Sequence, residues 1–217
     1  MQFSKNLSEN LEHLKQTLSL EKNFDVVYRA ITIGGKQACL LFVDGLTKDE
    51  VLLKVLQAWW SIKPEDMPKD AHGFSKKYMP YGEVSLVDNE KDMIVQLLSG
   101  ITAVLVDGYD KCLMLDCRTY PARGVEEPEK DKVLRGSRDG FVETLIFNTA
   151  LIRRRIRDPK LIMEILTAGN SSHTDIAVCY MDGRIDEELL KRILLYDLDQ
   201  CVLCRRMYDL DMLFLFL

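Results

Sequence analysis

The chain has 217 residues, enough for one large domain or two small ones. Its 47% hydrophobic and 29% charged residues can bury an ordinary globular core, and a formal charge of -5 argues against general nucleic-acid binding. The polar start MQFSKNLSENLEHLK has no signal- or transit-peptide character, and no run reaches the ~20 apolar residues of a membrane helix, so a soluble chain that begins in the cytoplasm is expected.

Leu7, Leu11, Leu14 and Leu18 recur at helical spacing and predict an amphipathic helix over 7–20. Two β-rich runs then flank Gly34-Gly35, which reads as a tight hairpin and not as a dinucleotide loop, because it lacks spaced glycines and a following helix. After the turn Asp44-Gly45, Thr47 and Glu50 form a capping-box pattern for a helix that ends before Pro64. One of the pair Trp59-Trp60 belongs in the core. The stretch from 63 to 82 carries three prolines, two glycines and mixed charge, and reads as a loop or linker.

EVSLVD is a strand, and Asp88 would cap a helix that Gly100 closes. ITAVLVDG and KCLMLDC are strands around Gly108-Tyr109-Asp110. Asp44, Asp107 and Asp116 end apolar runs and read as turn starters, not as metal ligands. His13, His72 and His173 lack ligand spacing. The six cysteines read as reduced small hydrophobes, and Cys201-x-x-Cys204 has no second ligand pair beside it.

The most chemically loaded stretch is RGSRDGFVETLIFNTALIRRRIRDP, residues Arg135 to Pro159. Arg135, Arg138, Asp139 and Glu143 admit two readings. They form either an anion- or subunit-contacting turn or a structural network of arginine forks on carboxylates. Phe141, Leu145, Ile146, Thr149, Ile152 and Ile156 predict a helix that Pro159 stops. Asn148 within it calls for a backbone or packing partner. Arg153, Arg154 and Arg155 point about 100° apart on a helix, so they reach three environments. The macrodipole accounts for one or two such cations, and the excess is assigned to a partner contact. No nucleophile–base pair accompanies the turn, so no catalytic residue is assigned. KLIMEILTAG is a helix or a strand, TDIAVCYMDG a strand, and DEELLKRILLYDLD a helix capped by Asp186. The apolar end, LMLFLFL, is too short for a membrane span and is expected to be buried against the body or to reflect an altered C-terminus.

The segments LFVDGLTKDEVL, LLSGITAVLVDG, LDCRTYPARGVEEPE, RGSRDGFVETLIFNTALIRRRIRDPKL and HTDIAVCYMDGRID, in that order, resemble the A-subunit family of spore germination receptors, the GerA type. The likeness is greatest to the stage V sporulation protein AF branch and covers roughly residues 25–195. The resemblance implies the soluble N-terminal domain of a polytopic protein at the cytoplasmic face of the spore inner membrane. It further implies a homo-oligomer working with other germination receptor subunits, coupled to an oligomeric ion channel. His173 stands where the family commonly has a lysine-like residue, so a charge is lost at neutral pH. The family's continuation is not recognisable after about Asp199, which predicts a truncated or frameshifted end and a membrane region absent here.

The expected fold is α/β, with two small subdomains of short mixed sheets flanked by helices: residues 1–62, a linker over 63–85, and 86–217. The expected function is non-enzymatic assembly and coupling, without cofactor, metal or nucleic acid. The interaction residues are Arg135, Arg138, Asp139, Glu143, Asn148, Arg153, Arg154 and Arg155. The alternative is a small-ligand binding module with a cleft between the two subdomains.

Overall fold

The computed structural model describes residues 1–79, 83–120, 141–169, 173–194 and 213–216. The leucine stripe forms helix α1 (Leu7–Thr17), where the Asn6 side chain accepts from Ser8 N–H and supplies the N-cap. Strands β1 (Val26–Ile33) and β2 (Lys36–Val43) meet at Gly34 (φ 52°) and Gly35 (φ 77°). Two successive left-handed residues make the two-residue turn whose twist matches a hairpin.

Helix α2 (Asp49–Trp60) lacks the expected capping box. Lys48 occupies the N-cap position, and the buried Thr47 hydroxyl donates back to Val43 C=O (3.2 Å). Leu46, fully buried, draws this corner against the sheet, so the hydroxyl is satisfied from behind. Trp59 is buried and donates from its indole N–H to Tyr78 C=O, whereas Trp60 is exposed. A short 3-10 turn (Pro64–Asp66) and helix α3 (Ala71–Tyr78) lie within the expected linker. Strand β3 (Val84–Val87) and helix α4 (Glu90–Leu97) follow; Asn89, not Asp88, caps α4 by accepting from Asp92 N–H. The Asp88 carboxylate instead accepts from the Asn89 side-chain amide (3.1 Å), and its backbone C=O accepts from Phe3 N–H.

Strands β4 (Thr102–Val106) and β5 (Cys112–Leu115) complete an antiparallel sheet in the order β1-β2-β4-β5-β3. This corrects the boundary expected at 63–85. β2, before it, pairs with β4, after it, in the register Cys39↔Leu105. A proline-rich stretch marks a connection but carries no information about which strands pair across it. Every residue of β4 and β5 is buried, as central strands covered on both faces require. On one face Leu14, Leu41, Met93, Leu97 and Leu105 join α1 and α4 to the sheet. On the other, Leu40, Leu56, Trp59, Phe74 and Leu113 join α2 and α3.

The second sheet is smaller. Strand β6 (Leu161–Ala168) resolves the helix-or-strand ambiguity and pairs antiparallel with β7 (Thr174–Met181). β7 pairs in parallel with the backbone of β8 (Leu213–Phe216), so this sheet is mixed. Helix α5 (Leu145–Arg155) covers one face through Ile152, and α6 (Glu187–Leu194) covers the other through Leu190. Asp186 caps α6 by accepting from Glu188 and Leu189 N–H.

The cysteines among the described residues sit inside these layers. Burial pushes the Cys39 and Cys117 thiols up to about 11 and Cys179 up to about 12, and it also raises Cys112. The thiolate is the reactive form, so at about pH 8 iodoacetamide should leave these four unlabelled in the native chain and label them all after unfolding. Peptide mapping reads the outcome. Rapid native labelling at any of the four would contradict its placement.

Candidate functional site

Helix α5 begins later than its apolar periodicity suggests, at Leu145 instead of Phe141. The fully buried Asn148 explains the difference. Its Oδ1 accepts from Val142 N–H (2.8 Å) and its Nδ2 donates to Val142 C=O (2.6 Å). This clasp holds residue 142 outside the helix, and Phe141 is left exposed. At the other end Ile156 is already extended ahead of Pro159.

Between those ends α5 bridges the two sheets. Ala150 belongs to the core of the large sheet and Ile152 to that of the small one. The helix backbone lies close over the β2 corner. A Cβ built on Gly45 would stand 2.9 Å from Ile146 Cγ2 and 3.1 Å from Ile146 O. At φ 74° that residue is also in the left-handed region, so glycine serves both the turn and the close approach.

Arg153, one turn on, enters the interior. Arg153 and Asp25 are 0% and 1% exposed. The guanidinium donates from Nε to Asp25 Oδ2 (2.7 Å) and from Nη2 to Asp25 Oδ1 (3.1 Å), a planar fork on a carboxylate. It also donates to Asp158 C=O and Leu161 C=O. Asn23 completes the node, with its Oδ1 accepting from Met163 N–H (2.7 Å) while Phe24 N–H donates to Met163 C=O (3.1 Å). Residues 23–25 therefore lie along β6 as a short extra rung, immediately before they enter β1. The thiol of Cys179 lies beside this node. Its upward shift comes first from burial and then from the Asp25 charge, with Arg153 opposing.

The three consecutive arginines reach different environments. Arg153 was expected at a partner contact; it is instead enclosed and bonded within the chain, because its direction on α5 leads between the sheets. Asn148, from the same expected set, is enclosed as well. Arg154 is half-buried, with Cζ 4.4 Å from the Tyr120 ring centroid, while Tyr120 donates its hydroxyl to Ser99 C=O. Arg155 and Glu143 are exposed. Arg135, Arg138 and Asp139 lie outside the described residues. Asp25 and Asn23, the node's other members, escaped the sequence reading. Their only signal is a carboxylate wedged between Phe24 and Val26, 128 residues from its partner.

The turn aspartates have local or capping roles. Asp44 Oδ1 accepts from Gly45 N–H, Asp107 Oδ1 from Leu7 N–H, and Asp116 pairs with Arg118, which lowers the Asp116 pKa. Among the described residues no group of three His, Cys, Asp or Glu side chains is placed to hold a metal, and no helix is long and apolar enough to cross a membrane. A cavity of about 380 Å³ opens between α2, α3 and β5, against Val51, Val55, Ala58, Tyr78 and Leu115.

A family model described as Bacillus/Clostridium GerA spore germination protein matches residues 12–195. Stage V sporulation protein AF of Bacillus subtilis (strain 168) is 34% identical over 86% of this chain and 38% of its own length. Spore germination protein B1 of the same organism is 32% identical over 89% of this chain and 40% of its own. The chain thus spans about two fifths of these relatives. The crystal structure of the N-terminal domain of the A subunit of the Bacillus megaterium spore germinant receptor GerK3 superposes with a TM-score of 0.74 at 22% identity, covering 96% of this chain and 77% of that one, which establishes a shared fold.

Proposed function

Because the chain belongs to the Bacillus/Clostridium GerA spore germination protein family, we propose that it serves as the N-terminal domain of a germinant-receptor A-type subunit, acting in subunit assembly. In this reading it lies on the cytoplasmic face of the spore inner membrane. There it contacts other receptor subunits and couples their state to an oligomeric ion channel. Its work is conformational, not catalytic.

The observation that supports the reading is the double use of α5. Arg153 locks the helix to both sheets from inside, while Arg154, on the next position, is only half-buried, with its guanidinium over the Tyr120 ring. A contact made at Arg154 therefore acts on the element that sets the orientation of the two sheets. Arg154→Glu should abolish co-purification of partner subunits from sporulating cells. The melting temperature should fall only modestly, since a partly exposed cation–π stack contributes about 0.5–2 kcal/mol. Retention of the partner subunits by the Arg154→Glu chain rules this surface out.

The small-ligand reading has one observation in its favour, the cavity against Val51, Tyr78 and Leu115. It joins α2 to β5 across the stretch where a cleft was expected. A ligand-dependent rise in melting temperature, absent when Ala58→Trp fills the cavity, would distinguish it.

A further inference from the structure

We propose that β1 is a strand-addition edge for a second copy of this chain, paired antiparallel about a two-fold axis at Ala30. The inference goes beyond the α5 reading and uses a different surface.

Among the described residues four strands lie at the outer edges of the two sheets, β1, β3, β6 and β8, and they are treated differently. The outer edge of β6 is occupied near its start by residues 23 and 24, which take both Met163 backbone groups. The edge strands β3 and β8 are each only four residues long. β1 has eight, VVYRAITI, with one charge and no proline or bulge to blunt it.

The ladder fixes which groups are unpaired. Asp44 N–H donates to Asp25 C=O, and the register continues unbroken to Ile33↔Lys36. Odd-numbered residues of β1 therefore bond to β2, and even-numbered ones direct N–H and C=O outward. Among the described residues no backbone bond reaches those of Tyr28, Ala30 or Thr32. Tyr28, Arg29 and Ala30 are exposed in succession, so both faces of the strand stand clear at its middle.

The outward groups also select the occupant's register. Two symmetric pairings satisfy the even-numbered groups over most of the strand. One is centred on Arg29 and sets Arg29 against its own copy, a like-charge pair. The other is centred on Ala30. It sets Tyr28 against Thr32, Arg29 against Ile31 and Val27 against Ile33, with no like charges opposed. A self-complementary patch of this kind closes as a dimer. The two five-stranded sheets then form one continuous sheet, with each helical layer continuing on its own face.

A concentration series in analytical ultracentrifugation tests this on the 217-residue chain. A reversible dimer is expected. Ala30→Pro removes only an outward N–H and should weaken the dimer about tenfold or more with unchanged circular dichroism. Ala30→Lys sets two cations together at the axis and should do the same, which keeps the test decisive if the proline variant unfolds. Under oxidation Ala30→Cys should cross-link to itself, since paired Cα atoms about 5.5 Å apart suit a disulfide. Arg29→Cys should not exceed the wild-type background. A monomer throughout the series, a dimer indifferent to Ala30→Lys, or cross-linking through Arg29→Cys in place of Ala30→Cys overturns the proposal. So does a monomer whose Tyr28–Thr32 amides gain exchange protection only when a partner subunit is added, which assigns the edge to a foreign strand.

Discussion

Arg153→Met alone should lower the unfolding free energy by about 3–5 kcal/mol, because it leaves the Asp25 carboxylate buried without its counter-charge. The loss exceeds that of an ordinary surface arginine because Asp25 has no route to water: it is 1% exposed beneath α5. The backbone carbonyls of Asp158 and Leu161 lose their donors at the same time. Asp25→Leu alone should cost a similar amount by stranding the guanidinium. The double variant Asp25→Leu/Arg153→Met should recover most of the loss, since a buried ion pair contributes little net stability over an apolar pair of like volume. What the double variant should not recover is the orientation of the sheets, which the fork geometry of Arg153 specifies and a methionine does not. Chemical denaturation of the three variants measures the first effect. Spin-label distances between β1 and β6 measure the second, as a broadened distribution. If the three variants are equally unstable, the ion pair is not the cause. If the double variant keeps a sharp distance, the node does not set orientation.

Gly45→Ala should destabilise the chain by about 3 kcal/mol, combining about 1–2 kcal/mol for a side chain at positive φ with about 1–3 kcal/mol for overpacking. Gly183→Ala provides the reference. That residue has φ 73°, nearly the same as Gly45, and a Cβ added there would meet nothing within 4 Å. It should show the conformational cost alone, about 1–2 kcal/mol. The difference between the two measures the seat of α5 on the β2 corner, because the Gly45 methyl would press on the carbonyl of Ile146 and not only on flexible side chains. Equal losses at the two glycines would mean that α5 can shift away at no cost.

Much of this fold is legible in the sequence. The leucine stripe of α1, the Gly34-Gly35 hairpin, the Asp186 cap and the apolar runs of β4 and β5 each follow from a local rule of period, turn or cap, and each is present. The misreadings share a cause. Thr47 and Asp88 had the right chemistry for capping, but each side chain has another partner: the Thr47 hydroxyl donates to Val43 C=O, and Asp88 Oδ1 accepts from the side-chain amide of Asn89, which takes the cap. The start of α5 was displaced by the side chain of Asn148, which bonds to residue 142 across the very turn that periodicity would have made helical.

The candidate site divides in the same way. The crowding of Arg153, Arg154 and Arg155 is visible in the sequence, and helical geometry requires them to point apart. Which one turns inward depends on what lies opposite, and Asp25 lies 128 residues away in the chain. By itself the sequence determined most element types, the main turns and the family, because helix period, strand alternation and glycine conformation act over a few residues; β6 is ambiguous by those rules and α3 lies in a stretch that reads as linker. Only the tertiary structure decided that one sheet runs through the expected linker, that Arg153 turns inward onto Asp25, and that among the described residues no backbone bond reaches the outward groups of Tyr28, Ala30 and Thr32. Those outcomes rest on hydrogen-bond and charge partners distant in sequence, and no local pattern encodes them.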